Sequence, residues 1–144
     1  MFPDNCVSVS VSRTDAGPAS GTNFAVGSVT LSYVATDSVG LTASCSYAVV
    51  VQDTEVPTIT CPANITVSRT PGRCNTTVAY TAPTGADNCA GQTTARTAGL
   101  GPGAVFPVGV TVEHYRVTDA AGNVASCAFS VTVLDDEDPV ITCP

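Results

Sequence analysis

The chain is poor in charged residues and in the side chains that most often perform catalysis. Only 12% of its 144 residues are charged, lysine and tryptophan are absent, and there is one histidine. Globular domains usually carry about 25% charged residues. The formal net charge of −7 opposes binding to a phosphate backbone, so the composition argues against nucleic acid as a partner. No apolar run approaches the roughly 20 residues that a membrane-spanning helix needs.

Long helices are also not expected, because glycine and proline interrupt the sequence throughout. The chain contains twelve Gly and ten Pro, which favour turns over helix interiors. Hydrophobic residues make up 44% of the chain, which argues against a disordered polymer. The length suits one ordinary domain or two small ones.

One segment of the sequence occurs twice. The stretch from Asp53 to Pro62 reappears from Asp135 to Pro144, and the two copies are offset by 82 residues. The same offset aligns further pairs: Phe24 with Phe106, Tyr33 with Tyr115, and Cys45 with Cys127. Such self-similarity indicates a repeat array. It predicts a partial module over residues 1–52 that lacks its first strands, a complete module over residues 53–135, and the start of a further module over residues 136–144.

Within the complete module, inward and outward residues alternate with a period of two. Cys127, Phe129, Val131 and Val133 alternate with small or polar residues, as half-buried strands do. Segments rich in Gly, Pro, Asp and Asn separate these runs. The predicted strands are residues 57–60, 64–68, 74–81, 92–98, 104–107, 110–118 and 125–134. The fold class is therefore all-β, as tandem immunoglobulin-like antiparallel β-sandwiches.

A series of motifs runs in order along residues 53–133. They read D-x-E-x-P-x-I-x-C-P-x-N-I-T-V, P-G-x-C, Y-x-x-P-T, D-N-C, F-P-V-G, Y-x-V-T-D-A-A-G-N and S-C-x-F-x-V-T-V. This series resembles the hyalin repeat, an immunoglobulin-like module of extracellular proteins. The resemblance is weaker over residues 22–51, where Asp37 to Gly40 replaces the D-A-A-G-N turn. It implies an extracellular location, an adhesive or scaffold role and no enzymatic activity, and it does not identify a ligand.

Seven cysteines in so short a chain indicate an oxidising compartment or a metal site. Structural zinc usually needs closely spaced ligand pairs, which are absent, so disulfides are favoured. The partial module retains only Cys6 and Cys45, which suggests that these two pair. The same rule predicts Cys89–Cys127 and, by remainder, Cys61–Cys74, leaving Cys143 to pair outside the segment.

Two sequons, Asn64-Ile65-Thr66 and Asn75-Thr76-Thr77, are candidates for N-glycosylation. Both asparagines lie on the outward register of their predicted strands. The alternative is a chance match in a threonine-rich chain.

Acidic residues cluster around the module boundaries. Strand order places Asp87 and Asp119 at the same pole of the sandwich as Asp53 and Glu55. Four carboxylates near one junction are a candidate calcium site, since Ca²⁺ prefers oxygen ligands. A solvated acidic hinge without metal is the simpler interpretation. No other cofactor is predicted.

The register of the strand at residues 110–118 singles out three side chains. Tyr115 points inward, and its hydroxyl is expected to bond to backbone, as in a tyrosine corner. Glu113 also points inward, so it should lie at the rim or meet an arginine. His114 faces outward and supports no catalytic role.

These patterns favour a structural and adhesive module of a long surface protein or filament, disulfide-stabilised and glycosylated. The alternatives are a specific protein- or carbohydrate-binding module and an accessory domain of a secreted enzyme. The expected partners are neighbouring modules or copies of the same chain. In a filament, the segment Val140 to Cys143 of one copy would complete its neighbour by strand addition.

Overall fold

The computed structural model describes residues 9–142 and divides the chain into two compact units, Met1–Asp53 and Thr54–Pro144. All regular structure in the described residues is β-strand, which confirms the all-β prediction. No described helix is long and apolar enough to cross a membrane.

From residue 9 onward, the first unit contains one antiparallel sheet in the order β1-β2-β3. Its strands are β1 (Ser10–Arg13), β2 (Gly27–Thr36) and β3 (Thr42–Val51). Asp15 fixes the loop after β1, because its carboxylate accepts the backbone N–H of Ser32 at 2.6 Å and pairs with Arg13. The Arg13 guanidinium, followed by that N–H, lowers the pKa of Asp15 well below its usual value.

The second unit has eight strands, of which four form its main sheet. The strands are β4 (Thr58–Ile59), β5 (Ile65–Ser68), β6 (Asn75–Val78), β7 (Gly85–Ala86), β8 (Thr93–Ala98), β9 (Ala104–Pro107), β10 (Gly109–Thr118) and β11 (Val124–Leu134). The main sheet has the order β5-β11-β10-β8. Its strands are antiparallel except that β5 pairs in parallel with β11, placing Ile65 beside Val131.

Two short antiparallel pairs, β6–β9 and β4–β7, complete the second unit. Val78 and Phe106 come from the first pair and join the buried cluster of the main sheet, formed by Tyr115, Phe129, Val131 and Val133. Gly85 of β7 approaches Val117, which is fully buried. Inward residues of β10 and β11 are those that the period of two predicts, because alternate side chains of a strand share a face.

Candidate functional sites at the two poles of the second unit

The second unit has two ends that we call its poles. At the N-terminal pole, β10 ends at Thr118 and β11 begins at Val124, next to the β4–β7 pair. At the C-terminal pole, β11 ends at Leu134, beside Ser68 at the end of β5. The ten residues of β10 separate the poles by about 30 Å at roughly 3.3 Å per residue.

Arg69 organises the C-terminal pole. Its side chain is buried at the end of β5, where Nε donates to Asp135 Oδ1 at 2.7 Å and a terminal nitrogen donates to Glu137. The other terminal nitrogen donates to the carbonyls of Thr70 and Arg73. The backbone N–H of Gly72 also donates to Glu137 Oε2, at 3.2 Å. The acidic segment that follows β11 is thus held against the turn between β5 and β6.

Sequence reasoning missed this role of Arg69. The position 82 residues earlier precedes residue 1, so the internal repeat gives no second copy for comparison. The available signal was electrostatic: the chain has only five arginines, and the predicted linker carries a run of acids.

At the N-terminal pole, Glu55 and Asp87 line one cleft. Glu55 Oε2 accepts a hydrogen bond from Asn88 Nδ2 at 2.6 Å, so the loop after β7 holds the segment that leads into β4. Asp87 Oδ2 accepts the backbone N–H of Cys89 at 2.9 Å. Asp87 Oδ1 is buried and has no hydrogen-bond partner among the described residues.

Asp119 forms the turn between β10 and β11. Its two carboxylate oxygens accept the backbone N–H and the side-chain amide of Asn123, each at 2.8 Å. Burial opposes ionisation, but these hydrogen bonds outweigh it and lower the pKa of Asp119. Two of the four predicted calcium ligands, Glu55 and Asp87, line the same cleft. The carboxylate of Asp119 is instead bonded within its own turn, and Asp53 belongs to the first unit.

The disulfide in the second unit differs from the pairs that the sequence favoured. Cys61 is bonded to Cys127, with Cα atoms 5.7 Å apart. The predicted pairs Cys89–Cys127 and Cys61–Cys74 are therefore wrong. Cys61 follows β4 and Cys127 lies near the start of β11, so both flank the core at the N-terminal pole, where they pack against its buried residues.

The remaining cysteines have separate locations. Cys74 carries an exposed free thiol and lies just before β6 at the C-terminal pole, where its carbonyl accepts the N–H of Val108 at 3.0 Å. Cys45 is exposed in β3 and has no disulfide partner among residues 9–142. Cys6 and Cys143 lie outside the described residues, so the predicted Cys6–Cys45 pair is not visible.

Glu113 lies in the core rather than at the rim, and no arginine contacts it among the described residues. It is fully buried, and its carboxylate accepts the N–H groups of Leu100, at 2.6 Å, and Gly101, at 3.1 Å. The hydroxyl of Tyr80 donates to Glu113 Oε2 at 2.9 Å. The hydroxyl of Tyr115 bonds to that of Tyr80 at 2.9 Å, and not to backbone as predicted. Burial, followed by these two partners, raises the pKa of Tyr80.

The two sequons differ in accessibility. Asn64 is exposed just before β5, and its Oδ1 accepts the N–H of Ser130 at 2.9 Å. Asn75 is half-buried in β6. Asn64 is thus the more accessible acceptor of the two. His114 is exposed, as predicted.

The segment proposed for strand addition is not a strand in the described residues. Residues 138–142 have no regular structure, and Val140 and Ile141 are 92% and 86% exposed. Strand addition between copies stays a prediction.

Comparison with known proteins finds one family that matches the chain twice. Residues 2–51 and residues 52–133 each match the HYR domain family. Hyalin of Strongylocentrotus purpuratus is 40% identical over 131 residues, covering 87% of this chain and 11% of that protein. Hyalin of Lytechinus variegatus is 35% identical, covering 85% of this chain and 24% of that protein. The chain therefore spans a small part of the length of these relatives.

Two further similarities are more distant. The rat sushi, von Willebrand factor type A, EGF and pentraxin domain-containing protein 1 is 34% identical over 64% of this chain and 3% of its own length. Among solved structures, the protocadherin gammaB7 EC3-6 cis-dimer matches 88% of this chain and 42% of its own chain, with 16% identity and a TM-score of 0.38.

Proposed function

Because the chain belongs to the HYR domain family, we propose that it is a segment of an extracellular array of modules with a structural and adhesive role. The modules would act as spacers that set distance and stiffness in a long surface protein or filament. The family is noncatalytic, and we assign this chain no enzymatic activity.

The observation that carries this proposal is the double ion pair of Arg69. A buried guanidinium binds both Asp135 and Glu137, so the first residues after β11 are held against the module. Planar guanidinium groups bind carboxylates with defined geometry, so such a contact restricts rotation at a linker. An array whose linkers rotate freely would not need this contact.

Two features support an extracellular location. The Cys61–Cys127 bond needs an oxidising compartment to persist. The exposed Asn64 is placed to accept an N-linked glycan, whose sugar would add a hydrated, bulky surface to the module.

The proposal predicts that an extended chain is rod-like and that Arg69 contributes to its stiffness. The test uses the 144 residues followed by a second copy of residues 63–144, so that Pro144 takes the place of Pro62; we call this the extended chain. Small-angle X-ray scattering should show a maximum dimension that exceeds that of the 144-residue chain by about 30 Å, the length of one module.

Arg69→Gln in the first copy should shorten the mean end-to-end distance and broaden the distance distribution. The matched control is Arg116→Gln, because Arg116 is exposed on β10, away from the linker. A compact extended chain, or identical scattering from the two variants, would overturn the proposed role.

A further inference from the structure

Negative charge is nearly absent from the main sheet of the second unit, although the whole chain carries twelve acidic residues. The strands β5, β8, β10 and β11 contain one acidic residue, Glu113, and it is buried on the inward face. The outward face of β10 instead carries His114 and Arg116, both exposed. The outward face of this sheet therefore presents cationic groups and no carboxylate, so an anion can approach it without repulsion from the sheet.

The two cationic side chains lie close together and are available to a ligand. His114 and Arg116 are two residues apart on one strand, so their Cα atoms are about 7 Å apart and their side chains share a face. Their direct neighbours on β11 are Ala128 and Ser126, whose short side chains leave them uncovered. Neither cationic side chain has a hydrogen bond or an ion pair with another residue of the described chain. Arg69, by contrast, is occupied by two carboxylates.

A shallow groove of about 520 Å³ lies between these residues. Besides the two cations, it is lined by Ser126 and Thr97, which carry hydroxyl groups, and by Ala128, which offers a methyl group. Sites for small ligands usually have volumes of about 300–1,000 Å³. A pyranose ring carries the same mixture of hydroxyl groups and C–H surface. The groove therefore suits a sugar that bears an anionic group.

We propose that this groove binds a sulfated sugar of an extracellular polysaccharide. A sulfate ester presents three terminal oxygens: the planar guanidinium of Arg116 can donate to two of them, and the imidazole of His114 to the third. A carboxylate has two oxygens, which the guanidinium alone satisfies, so it would gain less from His114. An acidic peptide fits less well, because several adjacent carboxylates would meet a single arginine.

This site belongs to the second module and does not depend on the tandem array. In the first unit, Ser32 and Val34 of β2 occupy the positions equivalent to His114 and Arg116. The equivalent face of the first unit therefore lacks both cations. Binding is expected from the 144-residue chain by itself, so failure of this proposal and failure of the rod-like array are separate outcomes.

A nuclear magnetic resonance titration of the ¹⁵N-labelled 144-residue chain with a chondroitin 4-sulfate hexasaccharide tests the proposal. The largest amide shifts are expected in residues 95–97, 114–116 and 126–128. Arg116→Gln should raise the dissociation constant about tenfold, the size of a charge-assisted hydrogen bond. The matched control is Arg73→Gln, which removes the same charge from an exposed arginine before β6 and should have little effect. Shifts located elsewhere, no shifts, or an equal loss in both variants would overturn the proposal.

The same titration at two pH values isolates His114. Raising the pH from about 6 to about 8 should weaken binding about two- to fivefold, because the imidazole loses its charge while the sulfate keeps its own. The residues that face His114 from β8 and β11 are Thr97 and Ala128, which do not titrate, and Arg116 on its own strand stays charged. His114→Ser, which introduces the residue found at position 32, should remove this pH dependence.

The identity of the anion is tested with the desulfated hexasaccharide, which keeps its carboxylates. It should bind more weakly than the sulfated sugar, and equal binding would overturn the assignment of sulfate. The scattering samples contain no sulfated sugar, so Arg116→Gln remains a suitable control for linker stiffness.

Discussion

Glu113 illustrates how one residue can be predicted in position but not in environment. The alternating pattern places it inward, and it is inward. Its partners, however, are the backbone N–H groups of the 99–103 loop and the hydroxyl of Tyr80, which the pattern of β10 does not encode. A buried carboxylate is tolerated only when donors replace its lost hydration. Here those donors join the loop, β10 and the segment after β6.

We predict that Glu113→Leu destabilises the second unit by about 2–4 kcal/mol, although Leu31 occupies the equivalent position in the first unit. The change leaves the N–H groups of Leu100 and Gly101 without their acceptor in the interior, while the Tyr80 hydroxyl keeps Tyr115 as a partner. Each unpaired group costs about 1–3 kcal/mol, and burial of the apolar leucine offsets part of that loss. Urea unfolding followed by circular dichroism measures the loss. Asp136→Asn, which removes an exposed carboxylate, is the control and should change stability little. Unchanged stability of Glu113→Leu would show that the network is not stabilising.

At the scale of secondary structure, the two strands with the clearest alternation of inward and outward side chains were predicted to within one residue at each end. The predicted strand at residues 110–118 corresponds to β10 (Gly109–Thr118), and that at residues 125–134 to β11 (Val124–Leu134). β7 was missed because Gly85 and Ala86 offer no apolar alternation and form a strand only through pairing with β4.

The disulfide was predicted wrongly for a related reason. Pairing depends on which loops meet at a pole, and a parallel contact such as β5–β11 is a property of the tertiary fold. The count of cysteines in a partial module does not contain that information. The Arg69 contacts with Asp135 and Glu137 join residues more than sixty positions apart, so local sequence could not reveal them either.

Gly85 is predicted to be intolerant of a side chain because of the element packed against it. A Cβ at this position would lie 2.4 Å from Val117 Cγ2, and Val117 is fully buried in β10. Gly85→Ala should therefore destabilise the unit by about 1–3 kcal/mol through overpacking. The loss is measured as the shift of the thermal or urea midpoint, with Ala86→Ser at the exposed neighbour as the control.

A double-mutant cycle distinguishes steric overlap from a general effect on β7. Val117→Gly removes all three Val117 carbons that an added Cβ would meet, at 2.4, 2.6 and 3.0 Å. The destabilisation of Gly85→Ala combined with Val117→Gly should be smaller than the sum of the two single changes. Strict additivity would show that Val117 is not the cause.

At the scale of the whole molecule, acidic residues outnumber basic ones and are unevenly distributed along the chain. The chain carries twelve acidic and five basic residues, and acids concentrate around the linkers at residues 53–55 and 135–138. Arg69 neutralises part of the second group. At the N-terminal pole, Glu55 and Asp87 line one cleft, and Asp87 Oδ1 is buried without a hydrogen-bond partner among the described residues.

We predict that Ca²⁺ stabilises the 144-residue chain by binding at this acidic pole. Extracellular calcium modules bind with dissociation constants of about 10⁻⁴–10⁻³ M, so the titration should extend to several millimolar. At calcium about tenfold above the dissociation constant, the gain is about 1.4 kcal/mol, which corresponds to a rise in the melting temperature of the second unit of roughly 6–11 °C. Asp87→Asn should abolish the rise because it removes the buried carboxylate oxygen, whereas Asp136→Asn at the other linker should preserve it. A melting temperature that is equal in calcium and in chelator would instead identify the pole as a solvated acidic hinge, whose carboxylates are separated by water and mutual repulsion rather than bridged by an ion.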